Sequence, residues 1–169
     1  MKREALLDAA ESVLQENGTQ ALTLSAVAER AGVSKGGLLY HFPTKEALIT
    51  GLVSRVIAEF DELVAEHDTG GPDSYTRAFV EATFAVIAAP DGARTGRRWA
   101  AITAAATTPE LTAPLRAAIG RWHHRDDDSP NAIVVRLAAE GLWEVAAQDP
   151  SQYSAEQYTA LRRRLLGLL

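Results

Sequence analysis

Apolar residues recur along this chain at spacings of three and four, the period of a helix face rather than the alternation of a strand. In the first segment, about 2–17, Leu6, Ala9, Ala10, Val13 and Leu14 fall on one stripe. Asn17-Gly18 then stops it, as a helix C-terminus does. Thr23 precedes a second short helix over about 24–31, with Leu24, Val27, Ala28 and Ala31 on its apolar side, and Gly32 closes it. Ser34 caps a third over about 35–42, and Pro43-Thr44 opens a fourth that runs to about Glu66. The run His67-Asp68-Thr69-Gly70-Gly71-Pro72-Asp73 is the clearest loop. Beyond it the pattern predicts five more helices, over about 74–89, 93–107, 109–125, 131–148 and 155–168.

The pattern is all-α. Prolines at 43, 72, 90, 109, 114, 130 and 150 fall mostly where the periodicity pauses, and strong helix formers dominate between them. About nine helices result, in two parts. Residues 1–45 form a small three-helix unit, and residues 46–169 a larger helical bundle. No flexible linker separates them, so helix four belongs to both and couples them mechanically.

Composition then removes several function classes. At 169 residues with 47% hydrophobic and 23% charged residues, the chain can bury a core without staples and is not globally disordered. It has no cysteine, which excludes a disulfide scaffold, thiolate catalysis and Cys-ligated zinc, and fits a cytoplasmic setting. No run of about 18 apolar residues exists, so no membrane span is expected. The N-terminal stretch, with two acids in its first eight residues, makes a poor secretory signal. The net charge of -5 argues neither for nor against nucleic acid, because distribution outweighs the sum.

The stretch Leu22–Leu48 carries the functional signal. Two short helices joined by Ala31-Gly32-Val33-Ser34 describe a helix-turn-helix, with Gly32 free to take a positive φ and Val33 able to plug the angle between the helices. In that motif the second helix enters the DNA major groove. On it, Leu38, Leu39 and Phe42 are expected inward, while Gly37, Tyr40, His41 and Thr44 share another side. Between residues 30 and 45 lie three bases (Arg30, Lys35, Lys45) and no acid, although the first 50 residues sum to -1, five basic against six acidic. Gly36 and Gly37 are poor helix residues, disfavoured by roughly 1 kcal/mol each against alanine, but they let a backbone approach a phosphate or a base closely. Helix starts at Thr23, Ser34 and Thr44 offer amides to phosphate oxygens, and Lys2 and Arg3 are within reach of the same partner.

With these residues in view, positions 5–50 resemble the N-terminal domain of the TetR (tetracycline-repressor-like) family of bacterial transcriptional regulators. The resemblance runs through Thr23, the block Ala31-Gly32-Val33-Ser34-Lys35-Gly36-Gly37-Leu38-Leu39-Tyr40-His41-Phe42, and Lys45-Glu46-Ala47-Leu48. One departure stands out: where the family usually has an aromatic after Leu38, this chain has Leu39, and Tyr40 follows one position later. The resemblance implies DNA contacts from Thr23, Ser34, Lys35, Gly36, Tyr40, His41 and Lys45, with Ser25 and Gly37 as further candidates. Lys35 and the Gly36 backbone would lie nearest base edges; His41, Tyr40 and Lys45 would mostly hold phosphates.

It also implies that helices 131–148 and 155–168 pair with their mates in a homodimer. Ile133, Val134, Leu137, Ala138, Leu142 and Val145 on one, and Tyr158, Leu161, Leu165, Leu166 and Leu168 on the other, supply the aliphatic residues this needs. Helices four to seven would line a ligand pocket from Phe60, Phe79, Thr83, Phe84, Ile87, Trp99, Ile102, Thr103, Leu115, Ile119 and Trp122, each of which also makes sense as plain core. Thr83, Thr103, His123, Glu81 and Arg98 are the groups available to orient a ligand.

No other chemistry stands out. His123 and His124 are adjacent and point about 100° apart on a helix, so they do not share a metal easily, and with Arg125-Asp126-Asp127-Asp128-Ser129-Pro130 they suit a helix end and a hydrated loop. No nucleophile elbow or phosphate-binding loop is present, so neither enzymatic activity nor a cofactor is expected. The expectation is a cytoplasmic, nucleoid-associated repressor. Its partners would be an operator in double-stranded DNA, a second copy of itself and a small, largely apolar effector. A DNA-binding or protein-interaction module without an effector is the alternative.

Overall fold

The computed structural model describes residues 2–71, 73–88, 92–125, 129–149 and 151–169. Among them it is all-helical: α1 (Lys2–Asn17), α2 (Leu24–Arg30), α3 (Lys35–His41), α4 (Lys45–His67), α5 (Ser74–Ile87), α6 (Gly92–Ala105), α7 (Pro109–His123), α8 (Pro130–Gln148) and α9 (Ala155–Leu166). Most helices end a residue or two before the sequence expectation. One feature escaped the periodicity, a single 3₁₀ turn at Thr19–Ala21; Pro114 lies inside α7, within the helix expected over about 109–125. The expected loop at Asp126–Asp128 and the breaks at Pro72, Pro90 and Pro150 lie outside the described residues.

Local chemistry explains the helix starts. Thr23, Ser34 and Ser129 each accept a hydrogen bond from the amide three residues on, and Thr44 does the same for Ala47. Ser154 and Gln157 form a reciprocal capping box at α9.

The packing divides the chain into two compact units. One comprises Met1–Val56 together with Arg98–Leu115; the other, Ile57–Arg97 with Arg116–Leu169. In the first, the α1 stripe is buried as expected, with Leu7 added to Leu6, Ala9, Ala10, Val13 and Leu14. Gly51 is required there: a Cβ would sit 2.8 Å from the Phe42 ring and 3.2 Å from Leu7, so only glycine lets α4 close on the end of α3. Three helices of this unit are also tied by charge. Glu11 of α1 accepts two hydrogen bonds from Arg98 of α6, at 2.6 and 2.7 Å, and one from Arg55 of α4 at 3.1 Å. Arg55 reaches Asp8 as well, at 2.7 Å. Burial alone would push the Glu11 carboxyl up, but the two guanidiniums outweigh it and hold its pKa below the usual carboxylate range.

In the second unit α5 packs on α8 and α9, and most of α5 is buried. Arg136 of α8 is fully buried there and donates to Thr76 Oγ1 of α5 at 3.0 Å. On the outside, Arg162 of α9 pairs with Glu81 of α5 at 2.5 and 2.6 Å.

Candidate nucleic-acid interface

The corner between α2 and α3 is built by Gly32, whose φ of +65° is the left-handed conformation that a tight turn needs and most side chains resist. Val27, Ala28 and Leu38 fill the angle, each almost wholly buried, and Phe42 anchors the far end of α3. Two expectations fail here. Val33 does not plug the angle; it is 39% exposed, since Val27, Ala28 and Leu38 already occupy the space. Leu39 does not join Leu38 and Phe42 inside; it is 36% exposed, because a two-turn helix held by Leu38 and Phe42 turns the intervening residue to its flank.

What remains outward on α3 is a compact surface. Lys35, Gly36, Gly37 and Tyr40 are exposed, Tyr40 by 84%, and His41 is half-buried with its ring edge-on to Tyr40 at 5.1 Å. A Cβ on Gly36 would meet nothing within 4 Å, so the protein's own packing does not require glycine at that position. Thr23, Ser25 and Ser34 are exposed at the neighbouring helix starts. The hydroxyl oxygens of Thr23 and Ser34 are taken by their helix caps, which leaves each O–H proton to donate outward. Lys45 opens α4, half-buried.

The local charge is less positive than the sequence count suggests. Arg30 is bound bidentately by Glu16 of α1, one bond at 2.8 Å, which lifts the Arg30 pKa and lowers that of Glu16. Arg3 leans over the Phe42 ring at 5.2 Å and pairs with Glu4. Lys35 and Lys45 are the lysines that α3 and the start of α4 bring to this surface.

The expected ligand-pocket residues divide between the units. Trp99, Ile102 and Thr103 belong to the first, with Leu115 at its end; Phe60, Phe79, Thr83, Phe84, Ile87, Ile119 and Trp122 belong to the second. In the second unit Phe60 is the hub of an aromatic cluster, edge-to-face with Phe79 at 5.4 Å, Trp122 at 5.1 Å and Trp143 at 5.6 Å. Trp122 Nε1 donates to Asp61 at 2.6 Å. Of the groups expected to orient a ligand, most are already engaged. Thr103 donates back to its own helix, His123 meets Glu140 at 2.8 Å, Arg98 binds Glu11 and Glu81 binds Arg162. The Thr83 hydroxyl is different: it is fully buried with no hydrogen-bond partner. An open cleft of about 470 Å³ in the same unit is lined by Asp61, Ala65, Asp68, Tyr75, Arg121, His124 and Arg125, none of them among the expected pocket residues.

Residues expected at a dimer face also separate into two groups. Ile133, Val134 and Leu137 stand on the outside of α8, exposed by 39%, 54% and 56%. Val145 and Leu161 are half-buried. Leu142, Tyr158 and Leu165 are instead largely buried by their own chain, where Tyr158 packs on Phe84. No helix among the described residues is long and apolar enough to cross a membrane.

Comparison with known proteins agrees with this layout. The family model described as "Bacterial regulatory proteins, tetR family" matches residues 6–52, and "Tetracyclin repressor-like, C-terminal domain" matches residues 73–169, over half of the chain. The HTH-type transcriptional regulator RutR of Escherichia coli K12 is 41% identical over 56 residues, which cover 33% of this chain and 26% of that protein. The chain thus aligns with about a quarter of RutR's length. The HTH-type transcriptional regulator BetI of Stenotrophomonas maltophilia is 28% identical over 175 residues, covering 93% of this chain and 87% of its own. Among solved structures, the multidrug binding protein EbrR complexed with malachite green shares the fold, with a TM-score of 0.76, 21% identity, and coverage of 99% and 97% of the two chains.

Proposed function

The chain belongs to the TetR family of bacterial regulatory proteins, and from that premise we propose that it is a homodimeric, sequence-specific DNA-binding repressor that responds to a small molecule. The observation that carries the DNA reading is the outward face of α3. An 84%-exposed tyrosine, a lysine and two glycines share a helix whose other side is fully anchored. Such a face has little to offer a folded core and much to offer a groove. Lys35 would read a base edge, Lys45 and His41 would hold phosphates, and the Thr23 and Ser34 hydroxyls would donate to the same backbone. Residues 1–45 would thus serve as the reading domain and 46–169 as the effector and dimerisation domain.

The dimer follows from the exposed aliphatic row Ile133, Val134 and Leu137, which a second copy would cover with the same row of its own. Twofold symmetry then dictates a palindromic operator with half-sites about one helical turn apart. For the effector, the support is the aromatic cluster around Phe60 and the unmet Thr83 hydroxyl. Burying such a hydroxyl without a partner costs about 1–3 kcal/mol, which a ligand's polar atom would recover. The ligand would be largely apolar with one polar handle. It acts by population shift: binding favours a state in which α4 carries the reading helices to a spacing that no longer matches the operator. Its working place would be the nucleoid.

Selection of bound fragments from the source genome, with a Lys35→Ala/Tyr40→Ala protein as control, tests this. Recovery of a short palindrome that the control fails to enrich supports the reading. Salt-sensitive binding without sequence preference would replace it with a non-specific DNA-coating role.

A further inference from the structure

Among the described residues, large apolar side chains with strong exposure fall into two groups: Ile133, Val134 and Leu137 on α8, and Val33, Leu39 and Tyr40 around α3. A second copy accounts for the first group. The second lies on the surface proposed to face DNA, where phosphate contacts would call for hydrogen-bonding side chains instead.

Leu39 has no hydrogen-bonding capacity, so it adds nothing to a phosphate contact. Its neighbours say what it can add. Gly36, Leu39 and Tyr40 stand at i, i+3 and i+4, which on a helix makes them one patch. The glycine leaves open space at the middle, with nothing within 4 Å of where its Cβ would lie. By helical spacing Leu39 and Tyr40 lie to either side of that open space, with only the helix backbone beneath it at Gly36. The major groove presents one apolar feature to such a face, the 5-methyl group of thymine.

We propose that Leu39 is a specificity-determining residue that, with Gly36 and Tyr40, receives a thymine methyl group in each operator half-site. This rests on the DNA-binding reading above. It assigns to Leu39 a role in base discrimination in place of the core role that its sequence pattern suggests. Lys35, one turn earlier on the same helix, would read the polar edge of a neighbouring base pair, so that polar and apolar readout alternate along one face.

The test uses the palindromic duplex recovered by selection, resynthesised with deoxyuridine replacing thymidine at one symmetric pair of positions at a time. Deoxyuridine keeps every hydrogen-bonding group and removes only the methyl. Full-length protein is expected to bind one such duplex about tenfold more weakly, since each half-site loses roughly three- to fourfold for one buried methyl. Leu39→Ala should bind the thymidine duplex more weakly and no longer distinguish it from the deoxyuridine duplex. Equal melting temperatures of the two proteins confirm that folding is unchanged. If deoxyuridine has no effect at any position, or if Leu39→Ala keeps the full penalty, the assignment of Leu39 is overturned while the regulator reading stands. If no duplex is bound specifically by the unaltered protein, both fall.

Discussion

Gly36→Ala is expected to make the protein more stable and worse at its proposed task. Gly36 is the second residue of α3, in ordinary helical conformation, and an added Cβ meets nothing within 4 Å. The substitution therefore introduces no clash and removes only the conformational freedom that glycine retains in the unfolded chain. Replacing a helical glycine by alanine under those conditions stabilises by about 0.5–1 kcal/mol. For a chain of this size that raises the melting temperature by about 1–4 °C. On DNA the sign reverses. The new methyl projects from the centre of the outward face, between Leu39 and Tyr40, where the backbone is proposed to meet base edges. Displacing the helix enough to lose one good base contact costs about 1–3 kcal/mol per half-site, so over two half-sites operator affinity should fall at least about thirtyfold. Binding to unrelated DNA should hardly change, because phosphate contacts tolerate the displacement. Thermal denaturation and fluorescence anisotropy on the operator and a scrambled duplex, at one fixed salt concentration, measure the three quantities. A stabilised variant with unaltered operator affinity would refute the close approach of α3 to the bases. Gly37 is a poorer choice for this experiment, since a Cβ there lies 3.3 Å from the Ser34 hydroxyl that caps the helix.

Three further outcomes are expected. Lys45→Ala should weaken binding about equally across sequences and lower the salt dependence of log K by about two for the dimer, one phosphate per half-site; an unchanged slope in a salt titration would remove Lys45 from the interface. Leu137→Asp places a charge on the most exposed aliphatic residue of α8, and sedimentation velocity should show a folded monomer; a persistent dimer would put the interface elsewhere. Glu11→Gln weakens the tie between α1, α4 and α6 and should cost about 2 kcal/mol at neutral pH. Because the Glu11 pKa is depressed by folding, its stabilisation is present above the unfolded carboxylate value and lost as pH falls through the folded one. The variant's denaturation midpoint should therefore converge on that of the parent below about pH 4, and parallel curves down to pH 3 would contradict the pairing.

Much of this architecture is legible along the chain because its causes are local. A hydroxyl at Thr23, Ser34 or Thr44 finds an amide three residues on whatever else the protein does, and Gly32 takes its positive φ inside a four-residue turn. The α1 stripe and the helix-turn-helix follow from such short-range rules, and the resemblance to TetR-like reading heads rides on them. Tertiary structure decided which side of a stripe is covered and by what. Leu39 reads as core beside Leu38 yet stands at the surface, while Leu142, Tyr158 and Leu165 read as a free face yet are buried. Arg30 counts as a free cation until Glu16 closes on it, and Arg98 finds Glu11 across 87 positions. Helical periodicity specifies the angle between side chains on one helix, but not the direction from which the next helix arrives. That direction is set by close packing among segments far apart in sequence, and only the folded chain contains it.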